Sequence, residues 1–368
     1  MTIIRHLSIV AVLLAGVCGT QAAEIPAVGV EAAQAHIVSR AVDGYIRPAF
    51  ARFADAGATL QRDIDGFCSA PSIEGHDAVA ASYRAALQGF AGVQFLRFGP
   101  LLQDHRLERL VFWPDRKSTG RRQAERIVKQ HDDSVLSLDS LRIKSVAVQG
   151  LSALEVTLFN GARKSLLAGG ADGKFRCAYA RVIAENVVEI TAHLRDEWAD
   201  QQGYAAILTK PGAKNATYRS HQEAAAEIVG SLTTGLQIIR DQQLLPVIST
   251  EIKKARPKRA LFRRSGDTVA ILSAGTKGLH DMVVALDLDS VLGEDDAWLA
   301  NSIPFELSNA LRVLDDVPEP LTKTLKDPGV YGKLSYVNLV LADLRSTVGE
   351  GLAAALAILM GFNALDGD

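Results

Sequence analysis

The sequence has little cysteine, almost no net charge and no long apolar run after its first twenty residues. It holds three cysteines in 368 residues, and none is in a Cys-x-x-Cys arrangement. That excludes a dithiol redox motif and a thiolate zinc knuckle. The formal net charge is −2, so nothing draws the whole chain to nucleic acid or to an anionic membrane. No stretch after the N-terminus reaches the roughly 18 uninterrupted apolar residues of a spanning helix. His-Glu-x-x-His, Gly-x-Ser-x-Gly, Walker A and dinucleotide-binding glycine patterns are all missing. The histidines are dispersed at 6, 36, 76, 105, 131, 193, 221 and 280. Strand signals are weak throughout, and no repeat of 20–50 residues points to a solenoid.

What is present begins with a targeting segment. Arg5 and His6 form a basic end, Leu7 to Val17 is apolar, and Thr20-Gln21-Ala22-Ala23 offers small residues for cleavage. This is the pattern of a secretory signal peptide over residues 1–23. Val17 is bulky for the position before a lipidated cysteine, which argues against lipid anchoring at Cys18. Removing residues 1–23 from 368 leaves 345, with a charge near −3 once Arg5 is gone. Export places the chain in the periplasm, an oxidising compartment where Cys68 and Cys177 can pair. The alternative is two buried free thiols.

Alanine and leucine are abundant, and apolar residues recur at three- and four-residue spacing. The expected class is all-α: two helical bundles joined end to end. Expected helices cover 32–67 (bent near Pro48), 76–98, 121–131, 135–141, 146–159 and 175–201 in the first half. In the second they cover 218–248, 268–287, 299–315 and 331–360, with Asp267 and Ser302 as N-cap candidates. The division is a first bundle over 24–202, a linker at 203–218 containing Pro211-Gly212, and a second bundle over 219–368. The basic run Lys253, Lys254, Arg256, Lys258, Arg259, Arg263 and Arg264 is broken by Pro257 and lacks interleaved aromatics. It reads as a solvated connection between helices.

Glu155 is the one acid in an otherwise apolar stretch, Val146 to Phe159. On a helix it flanks the face made by Leu151, Leu154 and Leu158, so it is expected to be partly buried. A buried carboxylate needs a partner or takes a proton. Arg97 is the candidate partner, and Trp113 is placed to cover the site. Three roles stay open for Glu155: a structural ion pair, ligand binding without metal, or a metal site completed by distant carboxylates. His193 and Glu197 read as a surface ion pair. Glu74, His76 and Asp77 read as a helix start, where acids suit the dipole.

Six segments in order resemble the imelysin-like family. Gln94 to Pro100 resembles its "RFGP" segment and Phe112-Trp113-Pro114-Asp115 its "fWP" loop. Val148 to Glu155 resembles the "VQGLxALE" motif of a periplasmic predicted-lipoprotein branch. Arg176-Cys177-Ala178-Tyr179-Ala180 resembles that branch's next helix, and Arg264-Ser265-Gly266-Asp267 an "RSG" helix start. Gly361 to Asp368 resembles the "GFNxxDGD" tail. The resemblance implies two related four-helix bundles, periplasmic export, a link to iron and a site where the bundles meet. The family's motif there is Gly-x-His-x-x-Glu. Here Ser152 stands in the histidine's place, and a serine hydroxyl is a poor transition-metal ligand.

The expectation is therefore a non-catalytic binding or accessory protein, with Ser152, Glu155, Arg97 and Trp113 around a cleft and no assigned metal or catalytic residue. Iron or zinc is only weakly supported as a cofactor. The partner is a small ligand or an envelope protein. The alternatives are a metal-dependent peptidase using Glu155 with ligands outside the motif, and an envelope interaction module.

Overall fold

The computed structural model describes residues 29–361 and Leu365. The expected signal segment and all but Gly361 and Leu365 of the "GFNxxDGD" tail lie outside the described residues. Those described form helices, turns and loops, with no strand. Ten α-helices of nine residues or more carry the fold. In the first half they are α1 (Val30–Ala41), α2 (Arg47–Ser69), α3 (Ile73–Val93), α4 (Thr119–Gln130), α5 (Leu151–Phe159) and α6 (Ala171–Ala199). In the second they are α7 (His221–Gln237), α8 (Thr268–Ala285), α9 (Trp298–Asp315) and α10 (Pro328–Ser346).

In the first half α2 packs along both α3 and α6, while α4 and α5 lie against each other and α5 against α6. In the second half α7, α8, α9 and α10 pack around one another. The buried apolar residues form one continuous core running from Ile37 through both halves to Leu365. Helix α3 lies against α8, and α1 leaves its own half to pack on α7. Gly278 permits the α3–α8 approach: a Cβ there would stand 3.0 Å from the Cα of Gly92 and 2.7 Å from the Tyr45 hydroxyl. Thr268–Ser290, which contains α8, is long and apolar enough by composition to cross a membrane. Here it is the central core helix.

Helix boundaries differ from the sequence reading for local reasons. The long first helix is interrupted by a π-helical turn, Val42–Ile46, immediately before Pro48. Pro48 lies just after this turn and has no N–H for the Gly44 carbonyl in α-helical register, which suits the wider π spacing upstream of it. Helix α3 starts at Ile73, before Gly75, because the Ser72 hydroxyl accepts the Gly75 N–H at 2.9 Å. Asp267 stands at the N-cap of α8 but makes no capping bond; its buried carboxylate instead pairs with Arg84 of α3. Ser302 lies inside α9 and caps nothing. The last helix ends at Ser346 and passes into a π turn, Thr347–Leu352.

Cys68 near the end of α2 and Cys177 in α6 form a disulfide, with Cα atoms 5.5 Å apart. It clamps the C-terminal end of α2 to the N-terminal part of α6.

Candidate functional site

The segment from Val148 to Glu155 is fixed by its main chain before any chemistry is considered. Tyr179 donates to the Val148 carbonyl at 2.6 Å and Tyr83 to the Leu151 carbonyl at 2.9 Å. Both phenols are held neutral by burial, which pushes their pKa up. The buried Gln149 amide donates to the carbonyls of Arg142 and Lys144. Its oxygen accepts from Arg109 Nε at 2.9 Å, and Arg109 Nη2 donates to Asn186 Oδ1 at 2.7 Å. Asn186 Nδ2 then closes the ring by donating to the Gln149 carbonyl at 2.9 Å. Gly150 follows at the start of α5. A Cβ there would stand 2.0 Å from the Arg109 carbonyl oxygen and 2.3 Å from that of Leu110. Only glycine lets these backbones meet, which accounts physically for the first residue of the motif.

Ser152 and Glu155 lie on the next turns of α5. The Ser152 hydroxyl is buried without a hydrogen-bond partner. Glu155 is 5 % exposed. Its Oε1 accepts the main-chain N–H groups of Arg264 at 2.8 Å and Ser265 at 3.3 Å, and its Oε2 faces Arg264 Nη1 at 3.3 Å. Arg264 Nε continues to Asn160 Oδ1 at 3.2 Å. Burial pushes the Glu155 pKa up, and the Arg264 charge and the two N–H groups oppose it. The carboxylate therefore seats the 261–266 turn of the second half onto α5. Phe262, buried in that turn, adopts a positive φ of 53°.

The expected partner was Arg97, and this is corrected. Arg97 lines a separate cavity of about 230 Å³ with Phe95, Phe98, Glu223 and Glu227. Arg264 takes its place because the turn delivers a guanidinium and two N–H groups together. Trp113 does cover the site: with Ser152, Glu155, Phe112, Phe262 and Arg264 it bounds a cavity of about 70 Å³.

Trp113 also forms a wall of an adjoining cleft of about 740 Å³, open between the 113–121 segment and residues 241–264. Its indole Nε1 donates to the Gln242 carbonyl at 3.3 Å. Pro246, four residues further on, has no N–H to offer that carbonyl in α-helical register, so it is free to accept. The cleft is lined by Arg116, Arg121, Lys258, Arg259, Arg263 and Arg264, with Asp115 and Asp241 opposing them. Asp115 is committed to the start of α4, accepting the N–H groups of Thr119 at 2.6 Å and Arg121 at 3.2 Å. Thus the basic run is not uniformly a solvated connection: Lys253, Lys254 and Arg256 are exposed, whereas Arg263 and Arg264 are half-buried at the cleft. Sequence reasoning placed Arg264 only in the basic run and the "RSG" start, and missed its pairing with Glu155 as well as Arg109 and Asn186, since these partners are distant in the chain and leave no spacing signal.

The remaining singled-out residues are explained locally. His193 pairs with Glu197 at 2.6 Å on the surface of α6. His76 is buried between the rings of Phe67 and Phe159, with centroids 5.7 and 5.8 Å away. No three His, Cys, Asp or Glu side chains converge as a metal-ligand set among the described residues. At the motif the donors also do not suit zinc or iron: Ser152 offers a neutral hydroxyl, and Glu155 is hydrogen-bonded on both oxygens and paired with the positive charge of Arg264.

No curated protein matches the chain. Solved structures do. An imelysin-like protein from Psychrobacter arcticum superposes with a TM-score of 0.73 at 16 % identity, over 90 % of this chain and 97 % of the other. A protein named as an iron-regulated protein A precursor from Parabacteroides distasonis gives 0.66 at 12 % identity, over 86 % and 95 %. At such identities the likeness is one of fold. The imelysin family profile matches residues 46–348, most of the sequence and both of its halves. On that match, this chain belongs to the imelysin family.

Proposed function

We propose that the chain is an exported, non-catalytic binding protein of the imelysin family, acting in the periplasm as an accessory to iron acquisition. One observation carries the non-catalytic part: Ser152 occupies the motif's histidine position while Glu155 is bound to Arg264 and Ser265 on both oxygens. A general base or metal ligand needs a free lone pair directed at substrate or ion. Three of the roughly four acceptor sites of this carboxylate are engaged by the 264–265 turn, and the guanidinium of Arg264 stands beside the fourth. The ligand site is the cleft beside Trp113, where the two halves meet. The iron-regulated name of one structural relative supports the iron link, and the N-terminal signal pattern supports export.

Metal analysis of protein purified without chelator tests this directly, together with zinc-supplemented cleavage of denatured proteins. The expected result is sub-stoichiometric metal and no cleavage. Near-stoichiometric zinc or iron that disappears in Glu155→Gln would overturn it. Fractionation with N-terminal sequencing tests export, with a mature start after Ala22 or Ala23 expected.

A second reading, an envelope interaction module, draws on exposed apolar side chains in the second half. Trp298 and Phe305 share a face of α9 at 57 % and 62 % exposure, and Leu339 of α10 is 66 % exposed. Cross-linking in intact envelopes, compared between wild type and Phe305→Ser, tests it.

A further inference from the structure

We infer that the cleft beside Trp113 binds a small multivalent oxyanion, such as a polycarboxylate or a phosphorylated compound. This rests on the reading of that cleft as the ligand site and names the ligand's chemistry. The volume of about 740 Å³ is in the range of small-molecule sites. Two of the six cations are satisfied by the protein: Arg121 makes a double hydrogen bond to Glu125 at 2.9 and 2.8 Å, and Arg264 is held by Glu155. Arg116, Lys258, Arg259 and Arg263 make no side-chain hydrogen bond or ion pair among the described residues. The two acids cannot neutralise them, because Asp115 caps α4 and Asp241 pairs with Arg240.

Arg263 is the most telling of the four. It is half-buried next to the charges of Arg264 and Arg121, and burial followed by Arg264 lowers its pKa. The fold thus holds a guanidinium where solvation is reduced and like charges are close; Glu155 and Glu125 offset this only in part, each being already hydrogen-bonded, to Arg264 and Arg121. An oxyanion entering the cleft relieves that repulsion and meets planar donors suited to bidentate carboxylate or phosphate contacts. A single carboxylate satisfies one such fork, so four unmatched cations call for a ligand with several. Trp113 supplies an apolar wall. The Gln242 side-chain oxygen, buried without a partner, adds an acceptor for a ligand hydroxyl.

The test is calorimetric titration of the mature chain with citrate, pyrophosphate and inositol hexakisphosphate, with acetate as the monovalent comparison. At least one multivalent anion is expected to bind at sub-millimolar concentration, weakening with added salt, whereas acetate does not bind. The double variant Arg259→Ser/Arg263→Ser should lose about tenfold or more in affinity. Lys253→Ser removes a charge from the same segment outside the cleft and should leave binding unchanged. Circular dichroism of each variant checks that the fold persists. Multivalent anions binding no better than acetate, or equal losses in the double and Lys253 variants, overturn the inference. Either result leaves the metal and cleavage assays free to stand, so failure of this assignment is separable from failure of the binding-protein reading.

Discussion

The carboxylate of Glu155 accepts the main-chain N–H of Arg264 at 2.8 Å, joining residues 109 apart in sequence and in opposite halves of the molecule. Removing the guanidinium leaves a buried carboxylate with only two main-chain donors. Arg264→Ala should cost about 3 kcal/mol in urea unfolding. A loss below about 0.5 kcal/mol would show that the pair does not hold the halves together.

Glu155 also sets a pH dependence. Its folded pKa is raised above the ordinary 4.5, so folding favours the protonated form. Its contribution is fully present below 4.5 and declines as pH rises through the raised folded value. Relative to Glu155→Gln, the wild type should therefore lose stability between pH 4 and neutrality. A constant difference between the two proteins across that range would contradict the shift.

His76 works in the opposite sense. Burial lowers its pKa from 6.5, and the Arg163 charge adds to that. The folded protein holds the neutral imidazole, so its contribution is present above pH 6.5 and lost as pH falls through the depressed folded value. His76→Phe should flatten that part of the stability profile between pH 7.5 and 5. An unchanged slope in the variant would place the titration elsewhere.

Gly150→Ala puts a methyl group 2.0 Å from the Arg109 carbonyl oxygen. Either the backbone at Leu110 or the start of α5 must move, and the Gln149–Arg109–Asn186 ring moves with it. A loss of about 3 kcal/mol is expected, read as a fall in melting temperature. Gly161→Ala, where a Cβ meets nothing within 4 Å but φ is +69°, separates backbone strain from steric contact and should cost only about 1 kcal/mol.

Ser152→His restores the family's motif residue. Since Glu155 stays engaged with Arg264, zinc titration of this variant should show no stoichiometric site. Tight one-to-one binding would mean that the carboxylate is readily released.

Much of this was legible in the sequence, and the boundary is physical. Helices such as 171–199 announce themselves because burying one face imposes a 3.6-residue period. The Cys68–Cys177 bridge was one of two readings of two cysteines, and the structure has it. Ser152 and Glu155 stood out as one substituted and one retained motif position. The partner of Glu155 did not: Arg97 and Arg264 are equally plausible as residue types, and only the turn at 261–266 decides between them. The same holds for the cleft, since half of a basic run faces water and half faces Trp113, a distinction set by a loop without periodicity.

Helix α1 has a consequence for the order of events in synthesis. It packs on α7, and the buried Gln34 within it donates to the Leu356 carbonyl at 3.0 Å. A ribosome delivers α1 first and its packing partners last. Beyond the adjoining π turn, the opening helix has only the short Tyr204–Thr209 helix to pack on before its main partner, residues 221–237, emerges, and no seat for Gln34 until almost the whole chain is made. Contacts so remote in sequence form slowly. Seating α1 is therefore a late step of folding, completed only when Leu356 is in place.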